Sequence, residues 1–150
     1  MDRALTPRQG ELGEARTRCF EIVLSSHVDK RGRITIVEGE ANVPFPIKRL
    51  YYLTEIAGGA TRGSHAHRKL EQVMVAVTGS FDVYLNDGRN EWIHRLDRPD
   101  VGLYIGRYLW HEIRDCSAGA VCLMLASMPY DESDYIRDLD EFRALVKGAK

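Results

Sequence analysis

The sequence predicts an all-β fold, an antiparallel sandwich or barrel that ends in one short helix. Roughly ten short apolar stretches recur about every 8–12 residues, which is the spacing of such folds. Turn residues separate them, among them the run Asn86-Asp87-Gly88. Such a run favours a type I′ hairpin, because these residues tolerate a positive φ. After Pro129 the apolar period changes to three or four residues, as in an amphipathic helix.

The elements follow in chain order. Residues 1–18 carry many charges and little apolar periodicity, so we expect a loosely ordered leader. A single domain then spans residues 19–150. The helix is expected at about residues 133–147, with Ser133 as its N-cap. The predicted strands are 20–24, 33–37, 47–54, 64–67, 71–77, 80–85, 91–96, 101–105, 109–113 and 120–126.

Charge and composition exclude several classes of partner. The net charge is −1 with mixed signs, so there is no electrostatic footprint for nucleic acid or for a membrane surface. No apolar run approaches the ~20 residues of a membrane-spanning helix, and no signal peptide opens the chain. The three cysteines form no Cys-x-x-Cys pair, which indicates reduced thiols. We therefore expect a cytoplasmic protein.

The chemistry is concentrated in the stretch 62–79, which contains His65 and His67. Side chains alternate between the faces of a strand, so these two imidazoles point the same way. Three interpretations follow. The pair could bind a metal with Glu71 and a later histidine, it could be an acid/base pair acting on a bound substrate, or it could have no chemical role.

The spacing around the pair resembles the first motif of the cupin barrels. Five residues separate Gly59 from His65, three separate His67 from Glu71, and Gly79 follows with one extra residue before it. The resemblance implies a cupin jelly roll, also called a double-stranded β-helix, with a short C-terminal helix.

A second cupin motif is weaker. Gly102, Gly106 and His111 fit it, but Arg107 stands at or near the position where a proline is usual. Imidazole and carboxylate ligands suit a first-row divalent ion. A metal-dependent cupin would bind its ion through His65, His67, Glu71 and His111.

Other residues favour a site without metal. Tyr51 and Tyr52 lie on the preceding strand, so one of them must face the interior. Arg62 has the opposite strand parity to His65, but a bend at Gly63 could turn it toward the cavity. Imidazole takes and returns protons near neutral pH, so a tyrosine and an arginine beside it are typical of proton transfer.

Several separated motifs resemble the dTDP-4-keto-6-deoxyglucose 3,4-ketoisomerases, small cupins related in fold to the dTDP-sugar 3,5-epimerases. The likeness covers about residues 19–146. Arg107 and Ser64 differ from the residues that are usual in that family. The matching motifs are residues 48–52, 62–67, 70–73, 102–106, 110–112 and 130–137.

The resemblance implies a specific reaction. The substrate would be dTDP-4-keto-6-deoxyglucose, and the carbonyl would move from C4 to C3 through an enediolate, with neither metal nor another cofactor. The product would lead to 3-amino-3,6-dideoxy sugars for surface polysaccharide or natural-product glycosylation. The protein would be a homodimer that exchanges N-terminal strands.

Catalytic roles follow as hypotheses. His65 would remove the C3 proton, and His67 would shuttle or donate a proton or orient the first imidazole. Tyr52, preferred to Tyr51 by its offset from the histidine strand, would be the acid or a hydrogen-bond donor to the sugar. Arg62 would polarise the ketone oxygen.

Further residues are expected to bind the substrate. Arg31 resembles the turn arginine that binds diphosphate in the related epimerases, in some cases across the dimer. Glu71 would orient one of the paired histidines. The remaining candidates for the cavity wall are Tyr51, Arg49, His111 and Trp110.

Three rival functions share these features. They are a metal-dependent cupin enzyme that uses the four-ligand set, a dTDP-sugar 3,5-epimerase, and a sugar-nucleotide-binding cupin without catalysis.

Overall fold

A computed structural model describes residues 18–148, so the predicted leader, apart from Arg18, lies outside the described residues. The described chain is built mainly of strands, which confirms the predicted all-β class. The strands are β1 Cys19–Val23, β2 Ser25–Asp29, β3 Gly32–Ile36, β4 Arg49–Leu53, β5 Arg62–His67, β6 Gln72–Thr78, β7 Phe81–Asn86, β8 Glu91–Leu96, β9 Val101–Ile105, β10 Trp110–Arg114, β11 Val121–Ala126 and β12 Tyr135–Ile136. A 3-10 helix spans Glu132–Asp134, and the helix α1 spans Leu139–Gly148.

Two five-stranded antiparallel sheets face each other. Their strand orders are β1-β9-β6-β11-β4 and β12-β5-β10-β7-β8. From β4 to β7, and again from β9 to β12, successive strands alternate between the two sheets. This wrapping is the topology of a jelly roll and confirms the predicted architecture.

Alternation along β6 shows how the core is divided. Met74 and Ala76 point between the sheets into the main apolar cluster. Val73 and Val75 point outward into a second cluster with Phe45, which lies in the segment between β3 and β4. Because both of its faces are buried, β6 is a nearly continuous apolar run rather than an alternating one.

The C-terminal helix begins at Leu139, not near residue 133 as predicted. Asp138 caps it, since its Oδ1 accepts a hydrogen bond from the Glu141 backbone N–H at 2.8 Å. Ser133, the predicted N-cap, lies within the 3-10 helix instead. The prediction failed because Tyr135 and Ile136 happen to continue the apolar period of the helix backward.

These two residues form β12, which pairs with the end of β5. Tyr135 lies opposite His67, and Ile136 lies opposite Ala66. Ile136 is fully buried and packs with Phe142 of α1. The strand therefore fastens the C-terminal segment directly beside the histidine pair.

The hairpin predicted at Asn86-Asp87-Gly88 exists, but its turn differs in type. Asn86 pairs with Glu91, so residues 87–90 form a four-residue loop instead of a two-residue type I′ turn. The Asp87 carboxylate accepts the backbone N–H groups of Arg89 and Asn90, at 2.8 and 2.7 Å, which stabilises the longer loop.

A second hairpin joins β2 and β3, with Asp29 opposite Gly32 across its turn. These strands hydrogen-bond as a ladder only to each other within the described residues. β2 was not predicted, because the run Ser25-Ser26-His27 has no apolar alternation. Among residues 18–148, no helix is long and apolar enough to cross a membrane.

Candidate active site

A cavity of about 380 Å³ opens between the two sheets, at the level of β4, β5 and β10. Its wall combines polar and cationic side chains with a smaller apolar part. The polar lining includes Tyr51, Arg62, His65, His111, Tyr135 and Arg137, and the apolar lining includes Leu53, Met74, Ile113 and Met124.

Three imidazoles cluster here: two of them line the cavity and the third, His67, lies directly beside them. Alternation along β5 puts His65 and His67 on the same face, as predicted, with ring centroids 4.8 Å apart. His111 lies opposite His65 in the β5–β10 ladder, and their centroids are 4.7 Å apart. The structure therefore brings the predicted pair together with the predicted third histidine.

A β-bulge at the start of β5 turns Arg62 into the cavity. Gly63 and Ser64 have φ of +89° and +57°, and the register shifts between His111 and Glu112. Ser64 is the extra residue, so Arg62 acquires the inward parity that regular alternation would deny it. The bend predicted at Gly63 is confirmed, and Arg62 lines the cavity.

Hydrogen bonds define the tautomers of the three imidazoles. Each Nδ1 faces an oxygen that accepts its proton, so each Nε2 carries the lone pair of a neutral ring. For His65 and His67, Nε2 is buried and has no partner. The accepting oxygens are Gly63 O at 3.0 Å, Asp134 Oδ2 at 3.1 Å and Leu109 O at 3.1 Å, for His65, His67 and His111 in turn.

The lone pair of His111 is already occupied. Gln72 Nε2 donates to His111 Nε2 at 2.9 Å. The Tyr51 hydroxyl in turn donates to Gln72 Oε1 at 3.4 Å. Burial raises the pKa of Tyr51 to about 12, so this hydroxyl stays protonated at neutral pH.

Arg49 places a cation near His67 and contributes to the lowered pKa of that imidazole. Its guanidinium carbon lies 5.0 Å from the centroid of the Tyr51 ring and 5.5 Å from that of Tyr130. Its Nε and Nη2 atoms are buried without a hydrogen-bond partner. Within residues 18–148, every such unpartnered buried side-chain nitrogen or oxygen belongs to Arg49, His65 or His67. Unpaired polar atoms of this kind are rare in folded proteins and concentrate where a polar ligand binds.

Burial lowers the pKa of all three imidazoles. For His65, loss of solvent is the main cause of the lowered pKa. For His67, burial and then the neighbouring His65 lower the pKa to about 4, against an opposing contribution from Asp134. For His111, burial holds the pKa well below its usual value. All three are neutral near pH 7, the state in which imidazole can accept a proton.

The preference for Tyr52 over Tyr51 is wrong. Tyr52 is 63% exposed and lies opposite Leu123 on the outer face of the sheet. Tyr51, one residue earlier, points inward and lines the cavity. The offset from the histidine strand misled the prediction, because the two strands belong to different sheets.

Glu71 does not reach the imidazoles. Its carboxylate accepts a hydrogen bond from the Tyr104 hydroxyl, and Tyr104 belongs to the outer apolar cluster. The next residue, Gln72, has the inward parity and contacts His111 instead. Glu71 therefore orients neither paired histidine, and the four-ligand set of a metal cupin is not assembled.

Trp110 is not part of the cavity wall. It is 3% exposed and packs against Phe142 and Ile136 beneath α1. Its Nε1 donates to Glu112 at 3.2 Å. Trp110 precedes His111 by one residue on β10, so alternation sends the two side chains to opposite faces.

Arg31 lies at the tip of the β2–β3 hairpin. Its side chain is 90% exposed and pairs with Asp29 at 2.6 Å. It is not among the residues that line the cavity of its own chain.

Sequence reasoning missed four residues of the site. Gln72 directly follows Glu71, the residue that the sequence analysis placed beside the histidines. The other three lie in the segment where the helix was expected to begin. Arg137 pairs with Glu132 at 2.7 Å and stacks on Tyr135 with 4.3 Å from its guanidinium carbon to the ring centroid. The sequence did offer a signal for the three residues other than Gln72, because they fall within the motif at 130–137. The missed residues are Gln72, Asp134, Tyr135 and Arg137.

Fold and site together define a cupin-type barrel with a histidine-lined cavity sized for a small molecule. The family model described as "FdtA: WxcM-like, C-terminal" matches residues 17–147. The chain belongs to this family. The TDP-4-oxo-6-deoxy-alpha-D-glucose-3,4-oxoisomerase of Aneurinibacillus thermoaerophilus is 47% identical over 119 residues, which are 79% of this chain and 86% of the relative.

Solved structures agree with this assignment. A 3,4-ketoisomerase from Thermoanaerobacterium thermosaccharolyticum, a histidine-to-asparagine variant in complex with TDP-4-keto-6-deoxyglucose, is 41% identical with a TM-score of 0.86, over 87% of this chain and 95% of that one. The TDP-quinovose 3,4-ketoisomerase from Campylobacter jejuni is 45% identical with a TM-score of 0.80, over 84% and 97%. The predicted family and the isomerase class are confirmed.

Proposed function

We propose that this chain converts dTDP-4-keto-6-deoxyglucose into a dTDP-3-keto-6-deoxyhexose by acid/base proton transfer without a metal. One observation carries the mechanism: two neighbouring imidazoles have a buried, unprotonated and unpartnered Nε2. They are His65, which lines the cavity, and His67, whose ring centroid lies 4.8 Å from that of His65. In a ketoisomerase family, two such bases beside each other suit the removal of one proton and the return of another.

His65 is the base in this proposal. Its Nδ1 proton is held by the Gly63 carbonyl, so only Nε2 can accept the C3 proton, which the C4 ketone makes acidic. Its lowered pKa keeps the ring neutral at physiological pH. The base is thus in its reactive state before the substrate binds.

Two arginines face the charge that develops on the sugar. Removal of the C3 proton gives an enediolate, whose oxygens need positive hydrogen-bond donors. Arg62 lines the cavity on the same strand as His65 and is assigned to the ketone oxygen. Arg49 has two buried donors without a partner and is assigned to a neighbouring sugar oxygen.

In the second half of the reaction the O3 hydroxyl proton moves to O4 and a proton is delivered to C4, and both transfers are assigned to His67 and Tyr51. The ring of His67 lies 4.8 Å from that of His65, close enough to pass a proton through a substrate oxygen. Tyr51 replaces the contradicted Tyr52 as the hydrogen-bond donor to the sugar, since its raised pKa keeps the hydroxyl protonated. His111 forms the wall behind them, held by Gln72.

The diphosphate is assigned to Arg31 of a second copy of the chain, in a homodimer that exchanges N-terminal strands. Support comes from the β2–β3 hairpin, which forms a separate two-stranded sheet in the described chain. Its apolar residues Val28 and Ile34 are 64% and 67% exposed, and a partner subunit would cover them. Cross-linking at these positions would test the exchange.

We place the enzyme in the cytoplasm, on a route to 3-amino-3,6-dideoxy sugars. Cys19, Cys116 and Cys122 are free thiols, which persist in a reducing compartment.

An NMR assay of chelator-treated protein with dTDP-4-keto-6-deoxyglucose in heavy water tests the function. We expect the carbonyl carbon signal to move from C4 to C3, with deuterium at C4 of the product. Deuterium at C3 and C5 without carbonyl migration would instead identify a 3,5-epimerase. Binding without any exchange would identify a binding module.

The same assay tests the role of metal. The ligand atoms of His65, His67 and His111 lie within 4.8 Å of one another, so this set is the one a metal would use. Turnover that vanishes on chelation and returns with an added divalent ion would overturn the metal-free mechanism.

A further inference from the structure

We propose that Asp134 is a positioning residue that sets the tautomer and the orientation of His67. Its carboxylate Oδ2 lies 3.1 Å from His67 Nδ1. Both side chains are deeply buried, at 4% and 2% exposure. The inference rests on the proposed function only in so far as His67 transfers a proton. The tautomer itself is a property of the free protein.

Three backbone N–H groups hold Asp134 in place, two of them through its carboxylate. Its Oδ1 accepts the Lys69 backbone N–H at 2.7 Å, and its Oδ2 accepts that of Leu70 at 3.2 Å. The Asp134 backbone carbonyl also accepts the Arg68 N–H at 3.0 Å. Asp134 is thus bound to the three residues that follow His67, so the carboxylate and the imidazole keep one relative geometry.

The neighbouring strand pairing adds to this rigidity. Tyr135 lies opposite His67 in the β5–β12 ladder, and its ring centroid is 4.5 Å from that of the imidazole. The 3-10 helix before β12 points Asp134 inward at the end of β5. A short segment that follows β11 therefore completes the surroundings of His67.

A chemical consequence follows for proton transfer. A carboxylate that accepts from Nδ1 keeps the proton there, which leaves Nε2 as the only basic atom of His67. That atom is buried and unpartnered. When His67 takes up a proton, the adjacent negative charge stabilises the imidazolium that forms. Glu71, the carboxylate that the sequence suggested for this role, is bound to Tyr104 instead.

Asp134→Asn tests the inference. An asparagine has a single acceptor oxygen. If that oxygen keeps the shorter bond from the Lys69 N–H, the NH₂ group faces Nδ1, the bond from the Leu70 N–H is lost, and the His67 proton moves to Nε2. We expect kcat to fall by about 10²- to 10⁴-fold, the range that one acid/base group contributes, with KM and the affinity for dTDP unchanged. Asp138→Asn is the matched control, because asparagine also caps a helix well and Asp138 does not contact an imidazole.

Nitrogen NMR of histidine-labelled protein gives a second test that needs no substrate. The wild-type His67 signal, assigned by its loss in His67→Asn, should show a protonated Nδ1 and an unprotonated Nε2. In Asp134→Asn the pattern should reverse. A wild-type His67 protonated on Nε2 overturns the inference, and so does a folded Asp134→Asn protein with wild-type kcat. If the variant does not fold, the wild-type spectrum alone decides. The tautomer can be as expected even if the protein moves no carbonyl, so the two proposals fail separately.

Discussion

The barrel interior has two halves, one around β7 to β9 and one between β4, β5 and β10. In both, alternate side chains of each strand point inward, but only one half contains buried polar atoms without a hydrogen-bond partner. Around β7 to β9 the inward side chains are apolar and close-packed, with Phe81, Val83, Leu85 and Leu103 all at most 1% exposed. Between β4, β5 and β10 the inward positions carry imidazoles, a tyrosine and an arginine. All unpartnered buried side-chain nitrogens of the described residues lie in this second half.

The difference indicates where stability has been exchanged for binding. A buried polar group costs about 1–3 kcal/mol when neither protein, water nor ligand pairs with it, so these four atoms stabilise the fold less than apolar side chains would. The apolar half offsets that loss, because each fully buried large apolar side chain contributes about 1.5–3 kcal/mol. One half therefore holds the fold, and the other is left with hydrogen bonds for a ligand to complete.

His65→Asn should separate the two halves most strongly. Removing the base should lower kcat by about 10³-fold, within the range for general base catalysis. The unfolding midpoint and dTDP binding should stay unchanged, since His65 makes only one hydrogen bond, to the Gly63 carbonyl. Steady-state kinetics and urea unfolding measure the two effects. Full turnover by this variant would remove His65 from the mechanism.

Leu85→Ala should give the reverse result. The side chain is fully buried in the apolar half, so its truncation should lower the free energy of unfolding by about 2–5 kcal/mol. The kcat of the remaining folded protein should stay at the wild-type value. A fall in kcat as large as that of His65→Asn would show that the apolar half also shapes the reaction.

The sequence could predict what depends on local periodicity. Alternation identified most strands of the barrel and the common face of His65 and His67. The sequence also suggested the bend at Gly63, because glycine adopts a positive φ without steric cost, and Gly63 does have a positive φ. These features need only the neighbouring residues, so they can be inferred without knowledge of the packing.

What could not be predicted depends on which strands meet. Glu71 and Gln72 differ by one position, and only the sheet that β6 joins decides which of them faces inward. The same holds for Tyr51 and Tyr52. Asp134 was missed because the apolar period after Pro129 continues through β12 into the helix, although the chain first pairs with β5.

Acid should destabilise the folded protein through the buried imidazoles between β4, β5 and β10. The pKa of His67 is lowered by burial from 6.5 to about 4 in the folded protein, so the unfolded chain binds more protons between these values. Stability should therefore be complete above pH 6.5 and fall as the pH approaches 4. Each unit by which the pKa is lowered corresponds to about 1.4 kcal/mol. Urea titrations across this range measure the slope. His67→Asn should reduce it, and the contributions of His65 and His111, whose pKa values are also lowered, should remain. An unchanged slope in that variant would contradict the assignment of the effect to His67.

The smallest effect on activity should come from removing a single hydroxyl group, that of Tyr51. Tyr51→Phe removes the hydroxyl that donates to Gln72 in the free protein and, in the proposal, turns to a sugar oxygen when the substrate binds. The expected loss is about 1.4 kcal/mol, or tenfold in kcat/KM. Tyr52→Phe is the matched control, one residue away on the outer face, and should leave kcat/KM unchanged. Both variants lose one tyrosine hydroxyl from the same strand. Comparing them therefore tests whether the side that the side chain faces, rather than the residue type, decides the effect. A greater loss in Tyr52→Phe would mean that the outer face of β4 joins the site, which in this fold requires a second subunit to cover it.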